Sequence, residues 1–169
     1  MLKLPQGGTK MNELLKHLEH DSRLTAQQLA AMLEMDEAAV KAAIADYEKN
    51  HLILGYQAIV DWDKAGEEFV TALIEVKVTP QRGDGFDRIA ERIYQFEEVE
   101  SVYLMSGAFD LTVIISGKSL KEVAQFVALR LSTIEGVTGT ATHFILKKYK
   151  EKHCLFNKKV EQEERVLFI

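Results

Sequence analysis

A short turn that contains a glycine carries the residues best suited to hold a small charged ligand. Gly107 stands in the segment Ser106-Gly107-Ala108, and Asp110 follows three residues later. Backbone N–H groups beside a glycine can approach a carboxylate closely, and a nearby aspartate can accept a hydrogen bond from an ammonium group. The pair therefore suits a zwitterion such as an amino acid. The same two residues are also ordinary components of a β-hairpin, so both interpretations stay open at this point.

The histidines and the cysteine give weaker indications of chemistry. His17 and His20 lie one helical turn apart, but two imidazoles without a third fixed ligand are more typical of a solvated helix face than of a metal site. His143, His153 and Cys154 are close only in sequence. The sequence contains no nucleophile elbow, phosphate-binding loop, dinucleotide fingerprint or metalloprotease motif. We therefore predict no metal site, no cofactor and no catalytic residues.

The composition of the 169 residues is that of a folded protein outside the membrane. Hydrophobic residues make up 47% of the chain and charged residues 28%, with only 2 prolines, which argues against disorder. No run approaches the roughly 18 apolar residues of a membrane span, and residues 1–10 lack the apolar stretch of a secretory signal. The single cysteine excludes an internal disulfide. We expect a cytoplasmic protein.

The net charge of −5 is unevenly distributed along the chain. Residues 1–60 carry 6 basic and 8 acidic side chains, residues 61–146 carry 8 and 14, and residues 147–169 carry 7 and 4. Domains that bind nucleic acids usually carry a basic patch. A prediction of DNA binding must therefore rest on motif geometry, because the charge alone does not support it.

Three short amphipathic helices are predicted between residues 12 and 50. The second helix begins at Thr25, whose hydroxyl starts a capping box that Gln28 completes. Asp36 is the N-cap expected for the third helix, after a three-residue turn. Helices this short must pack as one unit, and the second and third form a helix-turn-helix pattern. The pattern is compatible with nucleic-acid binding or with a plain three-helix scaffold.

The rest of the chain alternates between strand and helix patterns. Residues 51–60 are β-leaning and predict a wing strand or an interdomain strand. Strands are then predicted over 69–78, 99–105, 109–115 and 138–148, with helices over 86–96 and 120–134. The order matches the split βαβ unit of the ferredoxin-like fold. The predicted fold class is α+β, with an N-terminal (winged) helix-turn-helix domain followed by a ferredoxin-like βαββαβ domain.

A ferredoxin-like sheet is covered by helices on one face only. The predicted middle strands carry more large apolar side chains than either face should expose to water: Tyr103, Met105, Phe109, Leu111, Val113 and Ile115. Burial between two copies of the chain would cover such a surface. We therefore expect a homodimer that assembles further to a tetramer or octamer.

This combination resembles the Lrp/AsnC family of feast/famine transcription regulators over roughly residues 12–150. Three local segments carry the resemblance: Asp21-Ser22-Arg23 with Leu29-Ala30 in the following helix, Leu52-Ile53-Leu54-Gly55-Tyr56 after the third helix, and Ser106-Gly107-Ala108-Phe109-Asp110 at the hairpin. The resemblance implies that dimers bind double-stranded operator DNA through the helix-turn-helix. It also implies that the C-terminal domain binds an amino acid or a related small metabolite as effector.

The resemblance also implies where the effector binds. The residues expected at the effector site are Ser106, Gly107, Ala108 and Asp110 at the hairpin, with Thr140 on the last strand. Ser106 and Ala108 would flank the ligand. Thr140 would line the same end of the sheet in a neighbouring subunit.

The third helix departs from the family pattern. Recognition helices of the family usually carry a serine near the turn and arginines in the middle, whereas this chain has Asp36, Ala42 and Ala43 there. His51 also replaces the usual glycine. The remaining candidates for contacts with DNA are Arg23, Thr25, Gln27, Gln28, Ala38, Lys41 and Lys49. Because acidic residues of the same unit repel phosphates, we expect weak, salt-sensitive single sites that depend on avidity.

The predicted organisation has five parts. These are a flexible N-terminal extension (1–11), a helix-turn-helix DNA-binding domain (12–53), a β-type connector (54–66), a ferredoxin-like ligand-binding and oligomerisation domain (67–150) and a C-terminal tail (151–169). The predicted function is a sequence-specific DNA-binding transcriptional regulator with a small-molecule effector and no enzyme activity.

Two alternative functions stay open on the same architecture. The first is an enzyme similar to siroheme decarboxylases, for which His143, Arg82 and Arg88 are the only candidate residues. The second is a module that binds a ligand or a partner without DNA.

Overall fold

The computed structural model describes residues 8–79 and 85–156. The chain forms two compact units. The first unit extends to Ile59 and includes Lys152–Cys154, and the second contains Val60–Glu151 and continues from Leu155. None of the helices in the described ranges is long and apolar enough to cross a membrane.

Three helices build the first unit, as the sequence predicts: α1 (Gly8–His20), α2 (Ala26–Leu33) and α3 (Glu37–Lys49). Their apolar faces meet in one cluster, in which Leu14, Leu29 and Val40 are completely buried. Apolar residues spaced by three and four positions place such side chains on one face of each helix. The three faces therefore share a single small core.

The first helix begins earlier than the sequence pattern predicts. It starts at Gly8, whereas the pattern predicts a start near Asn12 after a flexible extension. Met11 packs against the core of the unit, so the buried face of the helix extends beyond the predicted start. Residues 1–7 of the expected extension lie outside the described residues.

The connector after α3 contains no strand. Within the described residues, nothing pairs with residues 51–60 in a ladder, although their sequence predicts a strand. A β-leaning segment becomes a strand only where a neighbouring edge supplies hydrogen-bond partners, and residues 8–79 and 85–156 supply none to this segment. A short helix, α4 (Trp62–Ala65), follows, with Asp61 as its N-cap and Gly66 in the left-handed conformation (φ 83°) at its end.

Four antiparallel strands form the sheet of the second unit, in the order β2-β3-β1-β4. The strands are β1 (Val70–Val78), β2 (Val99–Leu104), β3 (Leu111–Gly117) and β4 (Val137–Phe144). Helix α5 (Asp87–Tyr94) joins β1 to β2, and α6 (Leu120–Phe126), continued by a π-helical turn (Val127–Leu131), joins β3 to β4. This is the βαββαβ order of the ferredoxin-like fold, so the predicted fold class is confirmed.

One face of the sheet packs against the two helices. Alternate residues of β1, among them Ile74 and Val76, are completely buried in this core together with Ile93 of α5. The alternation follows from the two-residue period of a strand. It matches the apolar face that the sequence of β1 predicts.

The apolar surplus predicted for the sheet is smaller in the structure. Leu111, Val113 and Ile115 are at most 1% exposed because they face the helices, so they do not require a second copy of the chain to cover them. Tyr103 pairs with Thr112, which has the opposite orientation from Leu111 and Val113. Tyr103 therefore lies on the open face of the sheet, where it is 53% exposed.

The last strand ends at Phe144, four residues before its predicted end at residue 148. A hairpin of two-residue strands follows, β5 (Lys150–Glu151) and β6 (Cys154–Leu155). Most of this hairpin lies in the described part of the predicted tail, residues 151–156. Residues 157–169 lie outside the described part of the chain.

Candidate functional site

A complete capping box fixes the start of α2. The Thr25 hydroxyl accepts a hydrogen bond from the backbone N of Gln28 (3.2 Å), and the Gln28 side chain accepts one from the backbone N of Thr25 (2.9 Å). These bonds satisfy N–H groups that the first turn of a helix leaves without partners. Two residues predicted to contact DNA are therefore also the residues that hold this helix end in place.

Replacing Thr25 with alanine should lower the free energy of unfolding of the first unit by about 1 kcal/mol, because the cap loses its side-chain acceptor. The measurement is urea denaturation followed by far-UV circular dichroism. Thr25→Ser keeps the hydroxyl and should unfold close to the wild-type midpoint. Equal midpoints for Thr25→Ala and the wild type would contradict a stabilising cap.

The turn before α3 places a carboxylate at the start of that helix. Glu34 takes the left-handed conformation (φ 50°), and Asp36 Oδ2 accepts a hydrogen bond from the backbone N of Ala39 (3.1 Å). The predicted capping role of Asp36 is confirmed. Ala38 is exposed in the first turn of α3, and its methyl group suits contact with an apolar group such as the methyl of thymine.

The residue after the end of α3, His51, has a backbone conformation that favours glycine. Asn50 closes the helix, and His51 adopts φ 56°. Glycine enters this left-handed region without steric cost, whereas other residues lose roughly 1 kcal/mol. Lys49 is exposed in the last helical turn, where a cation interacts favourably with the helix dipole.

Arg23 is held by a carboxylate of its own unit. Its Nε lies 3.1 Å from Asp21 Oδ1 and its Nη2 lies 3.2 Å from Asp21 Oδ2. The backbone N of Arg23 also donates to Asp21 Oδ1 (3.0 Å). Hydrogen bonds from Arg23 lower the pKa of Asp21, and those to Asp21 raise the pKa of Arg23. The carboxylate therefore stays ionised to lower pH than an ordinary aspartate.

Lys41 has a similar partner one helical turn away. Its Nζ lies 2.6 Å from Glu37 Oε1, the spacing of four residues that brings side chains together on a helix. Gln27 is exposed on α2. Two of the three cations predicted to contact DNA, Arg23 and Lys41, are thus paired with carboxylates of the same unit.

The predicted effector turn is a longer loop. It spans residues 105–110, and β3 begins at Leu111 rather than at Phe109. The predicted tight three-residue turn is not formed. The hydrogen bond from Met105 N to Asp110 O (2.8 Å) instead joins the two ends of a longer loop. Ser106, Gly107 and Ala108 are exposed. A Cβ atom on Gly107 would meet nothing within 4 Å, so a small ligand has room beside this backbone.

Asp110 fastens the loop to β1. Its Oδ2 accepts a hydrogen bond from the backbone N of Val78 (2.9 Å), and its backbone N donates to Val76 O (3.1 Å). The carboxylate has a structural partner that the sequence pattern does not reveal. An ammonium group would use the acceptor capacity that remains on the two oxygens.

Thr140 lies on the other side of Val76. Its position on β4 is opposite Val76, and its Oγ1 is 3.4 Å from Ser132 Oγ. Because paired residues share a face of the sheet, Thr140 is on the helix-covered face with Val76. The fold thus brings Asp110 and Thr140 to the same end of β1, two strand spacings or about 10 Å apart. The Thr140 hydroxyl is near Ser132 rather than on the open face.

A cross-strand pair on the open face was missed at the sequence level. His143 Nε2 lies 3.2 Å from Glu75 Oε1, and this contact is an ion pair only when the imidazole is protonated. The two residues are diagonal neighbours on one face of the sheet, because Leu73 pairs with His143 and Glu75 with Ala141 on the adjacent strand. Strand alternation places Glu75 outward, but the sequence alone does not reveal its partner.

The residues considered for metal binding do not form a metal site in the described ranges. These ranges contain no group of three or more histidine, cysteine, aspartate or glutamate side chains that could hold a metal. The ring of His20 lies 6.2 Å from that of His153, and His143 contacts Glu75. Arg82, a candidate for the enzyme alternative, lies outside the described residues.

Comparison with known proteins identifies relatives over most of the chain. A model of the Lrp/AsnC ligand binding domain matches residues 71–154. The HTH-type transcriptional regulator YugG of Bacillus subtilis (strain 168) is 51% identical over 148 residues, which cover 87% of this chain and 89% of YugG. The chain thus shares both of its units with this relative.

Solved structures have the same fold. PH0061 matches with a TM-score of 0.73 and 25% identity, covering 89% of this chain and 98% of that one. The transcriptional regulator NMB0573 from Neisseria meningitidis, solved as a complex with L-Met, matches with a TM-score of 0.69 and 19% identity, covering 88% and 96%. The relatives are named as regulators, which does not support the enzyme alternative. The chain belongs to the Lrp/AsnC family of helix-turn-helix transcriptional regulators.

Proposed function

We propose that this regulator binds specific sites on double-stranded DNA through α2 and α3, with Arg23, Thr25, Gln27, Gln28, Ala38, Lys41 and Lys49 at the interface. The observation that carries this proposal is the helix-turn-helix itself, two capped helices joined by a three-residue turn. In such motifs the second helix enters the major groove and its first residues approach the bases. Ala38 is exposed on this part of α3.

The second unit is proposed to bind an amino acid or a related metabolite at the loop 105–110. Exposed backbone beside Gly107 offers N–H donors to a carboxylate, and Asp110 lies at the base of the loop. NMB0573, which shares the fold, was solved with L-Met. Ser106 and Ala108 would flank the ligand, with Thr140 of a neighbouring subunit at the same end of the sheet.

Assembly of several copies is the third part of the proposal. Tyr103 on the open face of the sheet is 53% exposed, and Leu54 in the connector is 88% exposed. A homodimer, assembling further to a tetramer or octamer, would bury such side chains and link weak DNA sites by avidity. The regulator would act in the cytoplasm.

Regulation requires that the effector binds one assembly better than another. A ligand with equal affinity for both geometries shifts nothing. A ligand held between subunits would change the spacing of the helix-turn-helix units, and this spacing must match the half-sites on the DNA. We therefore expect the effector to change assembly size or operator affinity.

The test of DNA binding is retention of genomic fragments from the source organism, including the promoter of the regulator, at about 50 and 200 mM salt. We expect retention of specific fragments that weakens as the salt concentration rises, because phosphate contacts release counterions. Absence of retention at both concentrations, with and without amino acids, would contradict the proposal and favour a module that works without DNA.

The test of effector binding uses a panel of amino acids and the variant Gly107→Val. The variant should fold normally because the space around Gly107 is open and its backbone does not need a positive φ. It should bind DNA like the wild type without effector, but its branched side chain should remove the response to the active amino acid. A full response in Gly107→Val, measured by calorimetry and by assembly size, would place the effector elsewhere.

A further inference from the structure

The exposed ion pairs of the first unit have a consequence for DNA binding. Arg23 makes a bidentate contact with Asp21, with Nε 3.1 Å from Oδ1 and Nη2 3.2 Å from Oδ2. The Arg23 side chain is nevertheless 89% exposed. Lys41 pairs with Glu37 at 2.6 Å and is 64% exposed. Both cations are accessible to a large polyanion, yet the charge of each is balanced by a neighbour.

At the start of α3, carboxylates also occupy or shield positive groups, here the backbone N–H groups of the first turn. A helix N-terminus attracts phosphate through its free N–H groups and its dipole. Here Asp36 Oδ2 already accepts from Ala39 N, and Glu37 adds a second carboxylate in the first turn. A phosphate approaching this end of α3 would therefore meet negative charge before it reached a donor.

We propose that the DNA-binding face is self-neutralised, with Asp21 and Glu37 acting as internal competitors that occupy Arg23 and Lys41 until DNA phosphates displace them. The inference rests on the proposed binding of DNA by α2 and α3. Phosphate contacts carry no sequence information, whereas contacts to base edges do. A competitor for phosphate contacts therefore weakens binding to all DNA and leaves the discrimination to the base contacts.

The size of the effect follows from the exposure of the pairs. Exposed ion pairs contribute little, at most about fivefold in a binding constant. Each competitor should therefore lower the affinity for DNA up to about fivefold. If the competitor also keeps its cation away from the phosphates, log K should depend less steeply on log salt, and the magnitude of the slope should be smaller by about one unit.

The test compares Asp21→Asn, Glu37→Gln and the double variant with the wild type. Asn keeps an oxygen that can accept from the backbone N of Arg23, as Asp21 Oδ1 does, and Gln keeps the length of the Glu37 side chain. Binding to a retained fragment and to unrelated DNA is measured by fluorescence anisotropy over a series of salt concentrations. We expect tighter binding to both DNAs, by up to about fivefold for each single variant at low salt. The salt slope should steepen by about one unit per variant.

The matched control is Glu19→Gln, which removes one exposed carboxylate from α1 of the same unit. It should change binding much less than the other two variants. Equal gains for Glu19→Gln would mean that only net charge matters, and this would overturn the inference. Weaker binding by Asp21→Asn would also overturn it, because Asp21 would then position Arg23 for the phosphate.

The outcomes separate the two proposals. If neither the wild type nor any variant binds DNA, the proposed function fails. If the wild type binds and the variants bind no better, DNA binding stands and self-neutralisation fails. Unfolding midpoints verify that each variant is folded. Should Asp21→Asn unfold too easily, Glu37→Gln decides the question alone, because its pair lies on the surface of α3.

Discussion

Replacing Gly136 with alanine should lower the free energy of unfolding of the second unit by about 2 to 3 kcal/mol. Gly136 adopts φ 96°, and a Cβ atom there would lie 2.7 Å from Ile89 Cδ1. Ile89 is 2% exposed in the core of the unit, so it has little room to move. The Gly136 carbonyl also accepts from Thr79 N (2.8 Å), which ties this backbone to the end of β1. The new side chain therefore adds backbone strain and a steric clash together.

The matched control is Gly139→Ala, three residues later on β4. A Cβ there meets nothing within 4 Å, and φ is not positive, so its unfolding free energy should stay within about 0.5 kcal/mol of the wild type. The single tryptophan, Trp62, belongs to the second unit, and its fluorescence during denaturation reports on that unit. If both variants unfold at the same denaturant concentration, the left-handed backbone at Gly136 is not the constraint that we infer.

The sequence predicts the fold well where the interacting residues are close together in the chain. The two-residue alternation of β1 identifies Ile74 and Val76 as core, and the structure buries both completely. The caps at Thr25 and Asp36 follow from residue type and spacing, and both are formed. In each case the interacting groups lie within a few residues of one another, so the pattern itself contains the interaction.

Predictions fail where the partner is distant or absent. Residues 51–60 have the composition of a strand, but a strand also needs a neighbouring edge, which the described residues of the chain do not provide. The sequence predicts Leu111 and Val113 as part of an apolar surplus on the sheet. In the structure, the pairing of β3 with β1 places both residues on the face that the helices cover. Both errors arise because strand pairing is a long-range property.

The candidate site shows the same division. Residue types identify Asp110 and Gly107 as suited to a zwitterion, and the loop is indeed exposed at Gly107. The hydrogen bond from Val78 N to Asp110 Oδ2 joins residues 32 positions apart, so no local pattern reveals it. At the proposed DNA-binding face, Arg23 and Asp21 are two residues apart, so the sequence shows their spacing, but the geometry of the pair comes from the structure.

Replacing Leu29 with alanine should unfold the first unit while the second stays folded. Leu29 is completely buried between the three helices, together with Leu14 and Val40. Truncating a buried leucine costs about 2 to 5 kcal/mol. A core of this size supplies at most roughly 3 to 5 kcal/mol, so little stability remains. We expect loss of the helical circular dichroism of this unit and loss of any DNA retention.

The fluorescence of Trp62 separates this result from a general collapse. Because Trp62 lies in the second unit, its denaturation curve should be nearly unchanged in Leu29→Ala. Met32→Ala on the same helix is the control, since Met32 is 52% exposed and its truncation should cost less than about 1 kcal/mol. A coincident loss of both signals in Leu29→Ala would mean that the two units unfold as one. The effector would then act on the stability of the whole chain rather than on the spacing of the helix-turn-helix units.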